Sequence, residues 1–306
     1  MAGGKPVFVD IEPDNFCIRA ELVERAISSR TRAIVAVNLF GQPADLFRLR
    51  SIADKNGLTL IEDNAQAPAA KFQTVWTGSI GHMGVFSLNR HKTIQCGEGG
   101  VIICEDERFA SRLRMVRNHG EAVFPDLGEI ERDDVEKRIV GFNYRLTELQ
   151  AAIALPQLHR LDSLNKVRVD LANCLTKELR QFDFLTPPEV RDNCTHVYYL
   201  YPIKFDAKKL GISRSLFMKA LSAEGLPISN YARPLYHLPL YGQRGVSADL
   251  LNPNNYPVTE NLWKNSMMIT SICRPPFNEQ IVIDFIKAIN KICSGVNELK
   301  KTQTLH

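Results

Sequence analysis

Short apolar runs alternate with amphipathic stretches through the first half of the chain, and no other feature constrains the fold as much. Val7-Phe8-Val9 reads as a short strand. Arg19 to Ser29 places Leu22, Val23, Ala26 and Ile27 at helical spacing. Ala33-Ile34-Val35-Ala36-Val37 is an apolar run bounded by polar residues, and Asp45 to Asn56 reads as a helix stopped by Gly57. Leu58-Thr59-Leu60-Ile61, Gly84-Val85-Phe86-Ser87 and Val101-Ile102-Ile103-Cys104 read as further strands. Continuous apolar strands between helices predict an α/β fold, a mainly parallel sheet with flanking helices covering both faces.

The second half has a different texture. Thr147 to Phe182 is one long helical pattern with a kink expected at Pro156, and Pro187-Pro188 mark a loop. His196-Val197-Tyr198-Tyr199-Leu200-Tyr201-Pro202-Ile203 is aromatic and rich in strand formers. Ser213 to Ala223 and Asn278 to Ile292 read as helices. A chain of 306 residues exceeds the usual single core. The expected division is a partial large domain at residues 1–160 and a smaller α+β C-terminal domain at 161–306.

Composition narrows the function classes. Lys plus Arg number 38 and Asp plus Glu 34, a formal charge of +4. Acids and bases are interleaved, so no nucleic-acid stripe is expected. The seven cysteines form no Cys-x-x-Cys pair, which argues against a zinc site or disulfide framework and fits a reducing cytoplasm. No run is long enough to span a membrane.

In an open α/β sheet, ligands gather beyond the carboxyl ends of the strands. Three such ends carry polar residues: Glu62-Asp63-Asn64-Ala65-Gln66, then Ser87, then Lys92 ahead of Gly97-Glu98-Gly99-Gly100. Each has an ordinary reading by itself. Glu62-Asp63 is a solvated strand end, Ser87 caps a turn, Lys92 is a surface lysine, and the glycines make a tight connection. Lone histidines such as His91 and His119 are usually structural. Together the residues suggest one cofactor. A lysine amine forms a Schiff base with a carbonyl. Pyridoxal phosphate needs that lysine, an acid for its ring nitrogen and donors for its phosphate. Lys92, Asp63 and Ser87 supply these chemistries.

The motifs Phe8-Val9-Asp10-Ile11, Arg32-Ala33-Ile34-Val35 with Leu39-Phe40-Gly41, Ile61-Glu62-Asp63-Asn64-Ala65-Gln66, Phe86-Ser87-Leu88-Asn89-Arg90-His91-Lys92, Arg117-Asn118-His119-Gly120, Gly141-Phe142-Asn143-Tyr144-Arg145 and Glu148-Leu149-Gln150-Ala151-Ala152 occur in order. In them the chain resembles the DegT/DnrJ/EryC1/StrS sugar aminotransferases of pyridoxal-phosphate fold type I. The resemblance implies an aspartate aminotransferase-like large domain and the cofactor pyridoxal 5'-phosphate. It makes Lys92 the Schiff-base lysine, Asp63 the pyridinium partner, Gln66 a residue beside the ring and its hydroxyl, and Ser87 a phosphate ligand. Asn143 matches an asparagine that reaches the neighbouring subunit's phosphate, which implies a homodimer. The implied reaction moves an amino group from glutamate or glutamine to a keto-sugar, nucleotide-linked.

Some members carry histidine in place of the lysine and act as dehydratases. Counting five residues on from Ser87 and five back from Gly97 reaches Lys92, so His91 is a neighbour and the aminotransferase form is expected. Tyr231 to Pro239 is similar to the segment that approaches substrate, where Arg233 would attract a diphosphate; its other reading is a proline-stiffened loop packed by aromatics. Members also carry a preceding segment with a Gly/Thr phosphate loop and a ring-stacking aromatic, which this sequence lacks. The expected large-domain sheet is therefore N-terminally incomplete, with strand edges and apolar faces left uncovered. A catalytically incomplete paralogue acting as a regulatory or partner protein is the alternative.

Overall fold

A computed structural model describes residues 3–121 and 139–303. The interleaved acids and bases at 131–134 lie outside them. Strands β1 (Ala33–Val37), β2 (Thr59–Asp63), β5 (Met83–Ser87) and β6 (Gly100–Cys104) form one sheet in that order. β1, β2 and β5 are parallel, and β6 is antiparallel to β5. The residues between β5 and β6 form no crossover helix, and without one the chain can only return antiparallel. The expected α/β architecture is present, with this one reversed edge.

Helices α1 (Ala20–Ala26) and α2 (Leu46–Lys55) lie against one face. Val23, Leu46, Leu49, Ile52 and Ala53 bury Ile34, Ala36, Leu58 and Leu60 there. Flanking helices are present as expected, while parts of β1 and β6 are left uncovered. Side chains alternate along β1, so Ala33 and Val35 point away from that helix layer and are exposed. Val101, Ile102 and Ile103 of β6 are exposed as well.

Other expectations also shift. Val7-Phe8-Val9 is not a strand. The Phe8 ring instead packs edge-on against Tyr236, Tyr241 and Tyr256, so aromatic contacts replace a strand ladder. The long helical pattern divides into α4 (Glu148–His159) and α5 (Leu161–Leu179), following α3 (Glu107–Arg117). Pro156 sits within the last turn of α4, and the break falls at Arg160, whose ψ of 8° leaves the helical range. Thr147 and Gln150 close a reciprocal capping box at the start of α4.

The C-terminal half carries its own antiparallel sheet: β7 (Leu185–Thr186), β8 (Tyr201–Phe205), β10 (Met267–Thr270) and β9 (Ile228–Ser229), in spatial order. Helix α5, α6 (Arg214–Ala223) and α7 (Glu279–Ser294) bury Leu175, Leu179, Phe217 and Phe285 against it. Ser213 caps α6 and Asn278 caps α7, as their sequence positions predict. Only the end of the aromatic run enters β8, because Tyr198 adopts φ 46° and breaks the extended path. Between the two sheets, β3 (Lys71–Phe72) and β4 (Val75–Trp76) form a small hairpin.

Glu62 is not the solvated strand end that its sequence suggests. Its exposure is 0%. Its carboxylate accepts from the backbone N–H groups of Gly78 (2.6 Å), Ile80 (2.8 Å) and Gly81 (2.6 Å) and from Asn38 Nδ2 (3.2 Å). Asn38 also donates to Asn64 Oδ1 and accepts from Ala44 N, and Asn64 donates to the Thr77 carbonyl. This buried network holds the carboxyl ends of β1 and β2 to the loop before β5. Truncation would strand several buried donors, each costing roughly 1–3 kcal/mol. Glu62→Ala is expected to destabilise the fold by about 3 kcal/mol or more, read as a lowered urea unfolding midpoint. An unchanged midpoint would show that the network does not hold the strand ends.

Candidate active site

The parallel register sets Asp63 between Val37 of β1 and Val85 of β5, at the carboxyl edge of the sheet. Its carboxylate accepts from Ala65 N at 3.1 Å, a turn that points the chain towards Gln66. Alternation along β2 sends Glu62 into the helix layer and Asp63 to the opposite side.

Lys92 comes from the loop between β5 and β6. Several bonds fix that loop. Leu88 N donates to Gly99 O, Arg90 N to Gly97 O and Cys96 N to Leu88 O. Gln157 of α4 exchanges two bonds with the Gln95 backbone, and Gln150 donates to Glu98 O. Lys92 is half-buried, so it is no ordinary surface lysine. Burial depresses its amine below the usual lysine range, and the Asp63 charge opposes that shift. The Lys92 Nζ lies 4.6 Å from the ring centroid of Tyr199.

Gln66 bridges three segments. Its Oε1 accepts from Phe40 N at 2.8 Å and its Nε2 donates to the Tyr231 hydroxyl at 3.1 Å. Tyr231 packs edge-on against Phe40, with ring centroids 4.8 Å apart, and burial raises its hydroxyl pKa. Ser87 ends β5, and its Oγ accepts from Asn89 N at 3.3 Å. Among the described residues no acceptor for the hydroxyl proton of Ser87 is seen.

Asn143 is exposed and forms a bridge with Asn118; no hydrogen bond ties its side chain to Asp63 or Lys92. His91 and His119 are exposed, His119 with a left-handed φ of 59°. Arg233 is exposed two residues beyond Tyr231.

Tyr199 was missed in the sequence, hidden in a run that reads as strand. Its segment is clamped to the first sheet. Val197 N donates to Gly41 O at 2.8 Å, and a Cβ on Gly41 would lie 2.8 Å from Tyr198 N. His196 stacks on Tyr198 with centroids 3.9 Å apart, and its Nδ1 accepts from Tyr198 N.

These residues fit a carbonyl cofactor with a basic ring nitrogen: a half-buried amine, a carboxylate whose charge acts on it, and the Ser87 hydroxyl. The family model for the DegT/DnrJ/EryC1/StrS aminotransferases matches residues 1–286. The chain belongs to this family. As a member it is a pyridoxal 5'-phosphate-dependent sugar aminotransferase. An uncharacterised protein of Methanocaldococcus jannaschii is 29% identical over 295 residues, 95% of this chain and 74% of that protein. A family aminotransferase from Brucella abortus superposes with a TM-score of 0.80 at 29% identity, covering 94% of this chain and 73% of that one. DesV of S. venezuelae, solved with a ketimine intermediate, gives 0.80 at 29%, covering 94% and 72%. DesI, solved in the presence of its TDP-sugar product, gives 0.82 at 25%, covering 98% and 72%. These matches do not favour the regulatory alternative.

His196 supplies a test of this region. Burial pushes its imidazole down to about 3. Between that value and about 6.5 the unfolded chain binds a proton that the folded chain refuses. The neutral ring therefore stabilises the fold above about pH 6.5, and that contribution drains away as pH falls towards 3. In His196→Gln the unfolding midpoint is expected to depend less steeply on pH over that window. A parent-like slope would show that His196 is not held neutral.

Proposed function

We propose that this chain transfers an amino group from glutamate or glutamine to a keto-sugar carried on a nucleotide. The observation that supports it most is the half-buried Lys92 amine under the charge of Asp63, beyond the carboxyl ends of β2 and β5. Pyridoxal phosphate, when bound, supplies a carbonyl for the amine and a ring that draws electrons from the reacting carbon. The chain supplies the rest.

Lys92 Nζ would hold the cofactor and, when free, would carry the proton to and from the reacting carbon. Burial favours the neutral form of the amine, the form that transfer needs. Asp63 would face the ring nitrogen and help hold the proton there. Gln66, held by Phe40 N and Tyr231, would stand beside the ring as a fixed wall of the site. Ser87 would donate its hydroxyl proton to the phosphate. The nucleotide part of the acceptor meets the segment after Tyr231, where Arg233 is exposed and suits a diphosphate. DesI and its TDP-sugar product support that choice.

Asn143 serves the partner subunit in this reading. The stretch that follows is apolar and open: Tyr144 is 59% exposed and Leu149 78%, with Ile153, Leu155 and Leu158 exposed beside them. A second copy would cover this surface and bring Asn143 to its site.

Purified chain incubated with pyridoxal phosphate should show the absorbance of lysine-bound cofactor. Lys92→Ala should lose it, together with about a hundredfold or more of the amination rate, measured with glutamate or glutamine and a panel of free and nucleotide-linked keto-sugars. A retained band with retained rate would refute the assignment of Lys92. Amination of free keto-sugars alone would refute the nucleotide linkage. For the shared site, Lys92→Ala protein is mixed with Asn143→Ala protein. Mixed dimers then hold one site with neither defect, and activity should partly return. No recovery after proven subunit exchange would overturn the partner role of Asn143.

A further inference from the structure

Lys92 is released from its covalent bond in each catalytic cycle of the reaction proposed above, and a long flexible amine needs somewhere to wait. Its surroundings are sparse. Asp63 at the end of β2 is the charged side chain that acts on it, and the ring of Tyr199 lies 4.6 Å from its Nζ. An ammonium over an aromatic face within about 6 Å is attracted by the ring's quadrupole, and more strongly where water is displaced.

We propose that Tyr199 is a positioning residue: its ring is the rest position of the free Lys92 amine. The inference rests on Lys92 being the cofactor lysine.

Three contacts fix the segment that carries the ring. Arg168 of α5, 6% exposed, directs its Nη1 at the carbonyls of Tyr198 (3.3 Å) and Tyr199 (3.5 Å), while its Nε has no partner. Burial pushes the Arg168 guanidinium down to about 10, with the nearby Arg274 charge adding to the shift. A buried guanidinium spent on two backbone carbonyls is costly unless the loop it fixes matters. Stacking of His196 on Tyr198 and the bond from Val197 N to Gly41 O fix the same segment from the other side. Arg168 and Arg274 also act on the Tyr199 hydroxyl, and Tyr231 lies near both Tyr199 and the Asp63 charge. The groups facing the lysine amine are therefore Asp63 and Tyr199, with Tyr231, Arg168 and Arg274 behind them.

The ring stabilises the charged amine and thereby opposes the effect of burial. Asp63 does the same, but in the proposed function its charge is engaged with the cofactor ring.

The test varies the ring's quadrupole while keeping its shape. Position 199 is replaced by phenylalanine and then by phenylalanines bearing one, two and three fluorines. The full chain, freed of cofactor, carries lysine isotope-labelled at Cε, and the Lys92 resonance is identified by its loss in Lys92→Arg. Tyr199→Phe is expected to leave the titration of that resonance close to parental, because the ring and not the hydroxyl holds the amine. Each added fluorine is expected to move the titration to lower pH. Tyr199→Leu, which keeps apolar bulk without a ring, should lie beyond the fluorinated series. A series that is flat across the fluorines overturns the proposal, as does a shift in Tyr199→Phe as large as that in Tyr199→Leu. The absorbance test of Lys92→Ala reads cofactor attachment separately, so that assignment can fail while the series still falls, and the series can be flat while attachment holds.

Discussion

A single buried carboxylate organises the end of the sheet at which the chemistry sits. Glu62 accepts four hydrogen bonds beneath the strands, three from the backbone of the loop at residues 78–81. Because side chains alternate along a strand, anchoring Glu62 on one side fixes Asp63 on the other. The parallel register then places Asp63 between Val37 and Val85, and the loop carrying Lys92 follows directly from β5. The positions of Asp63 and of the loop carrying Lys92 are thus a consequence of strand pairing and of one satisfied buried acid.

Lys92 sits where opposing effects meet. Burial favours the neutral amine, while the Asp63 carboxylate and the Tyr199 ring favour the charged one. A lysine exposed to water would stay protonated at neutral pH and serve poorly as a base. A lysine buried without Asp63 or Tyr199 would lose the partners that keep it in place. The half-buried arrangement is a compromise between reactivity and position.

The two halves of the chain are joined at the site by specific contacts. Gln66 reaches Tyr231, Asn165 of α5 donates to Pro68 O, Gln42 donates to Glu189 O, and Val197 N reaches Gly41 O. Gly41, at φ 113°, is needed because any side chain there would meet the backbone of Tyr198 and Tyr199. This close approach lets a residue from the C-terminal half lie against a lysine from the N-terminal half. An open face of β1 and β6 and an exposed stripe on α4 remain, apolar enough to suit a second copy of the chain.

Much of this was legible in the sequence. Strands β1, β2, β5 and β6 and the capped helices follow from local pattern, since burial writes periodicity into a chain and caps write short motifs. The ordered motifs also led to the family, and with it to the cofactor. What the sequence concealed depends on contacts between distant residues. Glu62 looks like a solvated strand end, and only the folded loop at 78–81 supplies the donors that bury it. Phe8 looks like a strand residue, but three aromatic rings more than two hundred positions away decide otherwise. The direction of β6 was set by the absence of a crossover helix. Tyr199 belongs to an aromatic run with no local sign of function, and it meets Lys92 only because Gly41, His196 and Arg168 turn that run out of its strand. Local sequence fixes which residue types stand at the strand ends, because hydrogen bonding and side-chain periodicity are short-range. Which of those residues touch was decided by tertiary structure, because burial and electrostatics act between whatever the fold brings together.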